Sequence, residues 1–180
     1  MAKATKKAVS EPGQKIFLIG FMGSGKTYWG KQWASTHDFS LVDLDDAIEK
    51  SEGKTVVELF EQHGEDYFRM LETRILHRLA NKRNTIIACG GGTPCFHDNM
   101  KWMNDHGKTV YISSTPTRIL ERVLEEQSKR PLLKKINKAE LLFFIEQKLK
   151  EREPFYMQAK NILDVETITN ETFIEVILKD

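Results

Sequence analysis

The chain has 180 residues, 40% of them apolar and 29% charged, with a formal net charge of +1. This is the length and composition of one globular domain with a substantial core. The balanced charge gives no global pull toward nucleic acid or a membrane surface, and no apolar run reaches spanning length.

Met1 to Gln14 carries lysines but no apolar stretch, so it is no secretory signal and is expected to be a flexible tail, residues 1–14, before one domain, residues 15–180. Lys15 to Ile19 is apolar and β-branched, the mark of a buried strand. Gly20-Phe21-Met22-Gly23-Ser24-Gly25-Lys26-Thr27 follows, and Tyr28 to Ala34 reads as a helix. Phe39 to Asp45 is expected to be a second strand ending in acids, with Asp45-Asp46 opening a short helix to about Ser51. Thr55-Val56-Val57-Glu58 is a capping box that starts a helix to His63, and Gly64 is expected to end it. Glu65 to Lys82 repeats apolar residues at helical spacing: Phe68, Leu71, Ile75, Leu79. Thr85 to Cys89 is a buried strand that runs into Gly90-Gly91-Gly92. Asp98 to His106 is a helix stopped by Gly107, and Thr109 to Ile112 a fourth strand. Pro116 starts a helix through Leu124. Gln127 to Ile136 is a polar, basic break, and Asn137 caps a helix to about Glu153. Asn161 to Val165 is the last strand, and Asn170 to Lys179 the closing helix. Strands alternating with helices imply a parallel sheet covered on both faces.

The eight residues from Gly20 fit G-x-x-x-x-G-K-[ST] between a strand and a helix, the context a phosphate-binding loop needs. Glycines let backbone N–H groups close on an anion at a helix N-terminus. Gly23, Ser24, Gly25 and Tyr28 border that cradle, Lys26 is placed for the β- and γ-phosphates, and the Thr27 hydroxyl for Mg²⁺. In parallel sheets ligands bind beyond the carboxyl ends of the strands. The phosphate loop, Asp43-Leu44-Asp45 and the triple glycine each follow or end a strand and should share one crevice. Asp43 and Asp45, two apart on a strand, would point the same way. One would hold Mg²⁺ through water and the other take a proton from a substrate hydroxyl. The plain alternative makes Asp45 a helix cap and Asp43 a solvated charge. Arg69 and Glu72 sit at ion-pair spacing, equally suited to a surface pair. Arg130 is either a mobile cation over ATP or a loop charge. Arg152 is either a site residue or a partner of its helix's C-terminal dipole. Cys89 and Cys95 match no zinc or redox spacing and are read as free thiols of a reducing compartment, and the five histidines show no metal spacing.

From about Lys15 onward the chain resembles the shikimate kinases. The matching pieces, in order, are the phosphate loop, Asp43-Leu44-Asp45 with Ile48-Glu49, and Gly64-Glu65 with Phe68-Arg69 and Glu72. Gly90-Gly91-Gly92, Arg130-Pro131-Leu132-Leu133 and Glu151-Arg152 with Pro154-Phe155-Tyr156 complete the set. The resemblance implies an α/β, P-loop nucleoside-monophosphate-kinase-like fold: a five-stranded parallel sheet flanked by helices, with a lid at about 127–136. It implies transfer of phosphate from ATP, with Mg²⁺, to the 3-hydroxyl of shikimate on the route to chorismate and aromatic amino acids. It implies a cytoplasmic monomer that engages neither nucleic acid nor membrane. By position Lys26, Asp45 and Arg130 are catalytic, and Asp43 sits by the metal's water shell. Asp45, Arg69, Arg152 and the loop Gly90, Gly91, Gly92 bind substrate, and Glu72 orients Arg69. The chain departs from the family at Val123, where many members place an arginine near adenine; Arg122 is beside it. The usual adenine contacts near the last strand are not evident from Glu166 to Asn170, and Tyr28 stands where a small hydroxyl residue is common. A gluconate kinase of the same fold is the nearest alternative. A GTP-dependent switch would need N-K-x-D, which does not occur.

Overall fold

The structure, a computed structural model, describes residues 13–127 and 137–178. Most of the expected tail, and of the expected lid with Arg130, lies outside the described residues.

Five strands form one parallel sheet: β1 (Lys15–Ile19), β2 (Ser40–Asp43), β3 (Thr85–Ala88), β4 (Lys108–Ser113) and β5 (Asn161–Asp164). Their order is β2-β3-β1-β4-β5. β1 is central, with Phe17 opposite Ile87 on one side and Thr109 on the other. Alternation along β1 splits the core in two. Ile16 and Leu18 join Trp33, Ile86, Val110, Ile112, Phe173 and Ile177 on one face. Phe17 and Ile19 join Ile48, Leu71, Met103, Ile119, Ile145 and Tyr156 on the other.

The first face is covered by α1 (Lys26–His37) and the C-terminal segment, in which α7 (Asn170–Thr172) continues as a π-wound turn to Leu178. Phe173 is fully buried, stacked on His37 and packed at a tilt against Trp33. The second face carries α2 (Leu44–Glu52), α3 (Val56–Arg78), α4 (Asn99–His106), α5 (Pro116–Gln127) and α6 (Lys138–Tyr156). The capping box forms as the sequence predicts: Thr55 Oγ1 accepts from the Glu58 N–H at 3.2 Å, and the Glu58 carboxylate from the Thr55 N–H at 2.8 Å. Asn137 caps α6 through the Ala139 N–H at 3.0 Å.

Two boundaries differ from expectation, and the first shapes the site. The second strand stops at Asp43, because the Asp43 carboxylate accepts the Asp45 N–H at 3.1 Å and caps α2. Asp45 therefore lies in the first turn of a helix, and Asp43 is the cap. At Gly64 (φ 80°, ψ 174°) the helical backbone breaks, as the sequence leads one to expect, and a second helical segment runs on to Arg78, the two forming one kinked element, α3. Leu79–Asn81 then form a 3₁₀ turn where the pattern predicts further α-helix.

Candidate active site

The phosphate loop, the cap of α2 and the triple glycine meet at the carboxyl end of the sheet, beside Arg152 of α6. In the loop Gly20, Gly23 and Gly25 all have positive φ (142°, 74° and 100°), a backbone that residues with a Cβ rarely adopt. A Cβ on Gly20 would also lie 2.6 Å from the Ile112 carbonyl. Lys26 Nζ donates to the carbonyls of Gly20 (2.9 Å) and Phe21 (2.7 Å), so the lysine spans its own loop. Burial lowers its pKa to about 8, partly offset by nearby acids including Asp45 and Asp43. Ser24 is buried, and its hydroxyl has no partner among the described residues.

Thr27 Oγ1 donates to Asp43 Oδ2 at 3.1 Å, and Asp43 Oδ1 receives the Asp45 N–H. One carboxylate thus ties the phosphate loop to α2. A hydroxyl beside a carboxylate is a hard-oxygen pair that suits Mg²⁺, which keeps several waters. Among the described residues no cluster of three or more His, Cys, Asp and Glu side chains could cage a metal. Burial, with the like charges of Asp43 and Glu72, raises the Asp45 pKa to about 6.

The triple glycine is the floor between these acids and two arginines. A Cβ on Gly90 would lie 2.8 Å from Glu72 Oε1 and 3.2 Å from Asp45 Oδ1. On Gly91 it would lie 3.1 Å from an Arg152 nitrogen, and on Gly92 2.5 Å from Arg69. Neither arginine is the surface charge that spacing alone allows. Arg69 is buried, paired with Glu72 at 2.9 Å and Glu65 at 3.0 Å, with its guanidinium 4.6 Å from the Phe96 ring centroid. Arg152 lies a turn inside α6, 5.4 Å from the Phe21 ring centroid. The Tyr156 hydroxyl donates to the Gly91 carbonyl at 2.5 Å.

Across the phosphate loop opens a cavity of about 560 Å³ lined by Gly23, Gly25, Lys26, Thr27, Tyr28, Trp29, Arg122, Glu125 and Val165. Arg122 donates to the Gly23 carbonyl at 3.1 Å, while Val123 packs on the core. Besides Lys26, the cation lining this side is thus Arg122, one position from where the family pattern directs attention. Sequence reasoning also missed Trp29 and Val165 in this wall, and the links from Thr93 to Glu72 and from Tyr156 to Gly91. A tryptophan in an amphipathic helix and a valine after a strand carry no local signal of a ligand wall. The other two are long-range pairs.

A 2-3-1-4-5 parallel sheet with this loop at the end of its central strand, facing acids and arginines, defines a P-loop phosphotransferase acting on a small anionic acceptor. The shikimate kinase family model matches residues 22–180. The shikimate kinase of Bacteroides thetaiotaomicron is 43% identical over 161 residues, covering 89% of this chain and 92% of that protein. That of Phocaeicola vulgatus is 42% identical with the same coverage. A crystal structure of the B. thetaiotaomicron shikimate kinase superimposes with a TM-score of 0.81 at 44% identity, covering 85% of this chain and 87% of that one. A shikimate kinase from Acinetobacter baumannii in complex with shikimate gives 0.78 at 30%, covering 92% and 93%. A gluconokinase from Sinorhizobium meliloti, 16% identical with a TM-score of 0.58, shares the fold alone. The chain belongs to the shikimate kinase family.

Proposed function

We propose that the protein transfers the γ-phosphoryl group of ATP to the 3-hydroxyl of shikimate, yielding 3-phosphoshikimate and ADP. The observation that carries this is the convergence of Asp45, Arg69 and Arg152 around Gly90-Gly91-Gly92, directly beside the phosphate loop. A small acid with several hydroxyls needs such a set: a guanidinium for its carboxylate and an acceptor for its hydroxyl. The resemblance to a shikimate kinase in complex with shikimate supports the same assignment.

In this reading the loop N–H groups from Gly23 to Thr27 cradle the phosphates, and the exposed Tyr28 borders them. Lys26, whose hydrogen-bond partners are neutral carbonyls, brings charge to the transferring group. Thr27 and, through water, Asp43 hold Mg²⁺, which when bound neutralises phosphate charge. Asp45 accepts the proton of the attacking hydroxyl as the new O–P bond forms and the bond to ADP breaks. Arg69 and Arg152 fix the acceptor's carboxylate, so the hydroxyl meets the phosphorus in line. Arg130, in the lid segment 127–136, steadies the charge on the transferring phosphate. The protein works as a monomer of one domain, in the cytoplasm, without nucleic acid or membrane partners; no described helix is long and apolar enough to cross a membrane.

The test is ATP consumption by the purified protein. Shikimate should stimulate it strongly and gluconate should not. Stimulation by gluconate, or none by shikimate, would overturn the assignment.

A further inference from the structure

Glu72 is fully buried, and so is Thr93, the residue after the triple glycine. A buried carboxylate is tolerated only with its oxygens partnered. Arg69 supplies one partner, a guanidinium N–H on Oε2 at 2.9 Å. The Thr93 hydroxyl supplies the other, donating to Oε1 at 2.5 Å.

Thr93 is itself held on three sides. Its N–H donates to the Gly90 carbonyl at 3.1 Å. Its carbonyl accepts from Asn99 Nδ2 at 3.0 Å, and the same amide reaches Thr73 Oγ1 at 2.9 Å. Its β-branched side chain has few rotamers to choose from. The chain of contacts therefore runs from the start of α4, through Asn99 and Thr93, to Glu72 and then Arg69. The guanidinium is slung between two carboxylates, Glu72 on one edge and Glu65, at 3.0 and 3.2 Å, on the other, beside Gly92 and the Phe96 ring, so a turn of Glu72 re-aims it.

We propose that Thr93 is a positioning residue of the carboxylate subsite, setting the direction of Arg69 through Glu72. The proposal rests on the reading of Arg69 as the acceptor's carboxylate ligand. Without the hydroxyl, Glu72 Oε1 loses its donor, and the carboxylate rotates to find another. Arg69 follows, and the cost falls on acceptor binding. Nothing in the chain of contacts reaches the cavity lined by Arg122 and Val165, so nucleotide binding is spared.

The experiment is steady-state kinetics of Thr93→Val, which keeps the shape and removes the donor, and of Thr93→Ser, which keeps the donor. Thr93→Val should raise KM for shikimate about ten- to a hundredfold, the range for a lost hydrogen bond to a charged group. KM for ATP should stay within about twofold. The preference for shikimate over its methyl ester should shrink with it, and Thr93→Ser should restore most of both. A normal KM for shikimate in Thr93→Val overturns the proposal, as does an equal loss toward both substrates. Should Thr93→Val not fold, Thr93→Cys takes its place with a weak donor. It should then show a severalfold rise in the shikimate KM, and an unchanged KM overturns the proposal. A wild-type enzyme inert toward shikimate would instead remove the functional reading on which this one stands.

Discussion

Asp45 shows how a single residue carries both chemistry and strain. The folded protein raises its pKa from 3.8 to about 6, first by burial and then through Asp43 and Glu72. The folded state therefore favours the protonated acid, while the base proposed for Asp45 is the carboxylate. Below about pH 4 the acid is protonated whether folded or unfolded, and there is no cost. Between about pH 4 and 6 the unfolded chain ionises while the folded protein still holds the proton, so stability falls, and it levels off at a lower plateau above 6. At about 1.4 kcal/mol per unit the full cost is ~2–3 kcal/mol. Asp45→Asn should remove it. Urea unfolding should find the variant ~1–3 kcal/mol more stable than wild type at pH 8 and no more stable at pH 4. Its turnover should be lost, and the wild-type kcat/KM should climb with pH through about 6. An advantage for Asp45→Asn that is equal at both pH values would show that the gain is packing and not charge.

At the scale of elements, the kink in α3 does what a straight helix cannot. Phe60 and Phe68 are eight residues apart, a rise of about 12 Å in an unbroken helix. Their ring centroids lie 4.5 Å apart, on either side of Gly64, and both rings flank the Arg69 guanidinium. The backbone at φ 80°, ψ 174° is close to glycine-only territory, although no atom lies within 4 Å of where a Cβ would stand. Gly64→Ala should therefore cost about 1–3 kcal/mol through backbone strain alone. It should also raise KM for shikimate, because Phe60 moves off Arg69. A fully stable Gly64→Ala, by urea unfolding, would mean that the kink relaxes freely. The sequence reads this region as two helices because glycine breaks the pattern there. How the second segment turns relative to the first depends on Phe60 meeting Phe68, a tertiary contact that no local pattern encodes. The same holds for the end of β2. Alternation carries the strand reading through Asp45, whereas the Asp43 carboxylate caps the chain into a helix two residues sooner. Caps that announce themselves by spacing, Thr55 with Glu58 and Asn137, were legible for the opposite reason: their hydrogen bonds are local.

For the molecule as a whole, a parallel sheet with helices on both faces was legible because strands alternating with helices need crossover connections, while the strand order 2-3-1-4-5 is set by tertiary pairing. The convergence of three loops at the carboxyl ends followed from it. What pattern could not supply was the division of the crevice. Gly25, Trp29, Arg122 and Val165 line one cavity, the side proposed for the nucleotide. Asp45, Arg69 and Arg152 gather on the other side of the phosphate loop, around the triple glycine. The two halves are carried by different helices and meet at the loop that Lys26 spans. Ligand-dependent stability should divide the same way. A ligand at a hundred times its Kd stabilises the folded state by about 2.7 kcal/mol. For a domain of this size that is a rise in Tm of about 5–10 °C. MgADP and shikimate should each produce such a shift in the wild type. Arg69→Lys keeps the charge but cannot form two parallel hydrogen bonds to a carboxylate. Losing a charge-assisted bond of about 1.5–3 kcal/mol weakens shikimate roughly ten- to a hundredfold. At the same shikimate concentration about half or more of its shift should vanish, while the MgADP shift stays within about 1 °C. Loss of both shifts together would mean that Arg69 holds up the whole crevice, and the separation into two independent halves would fail.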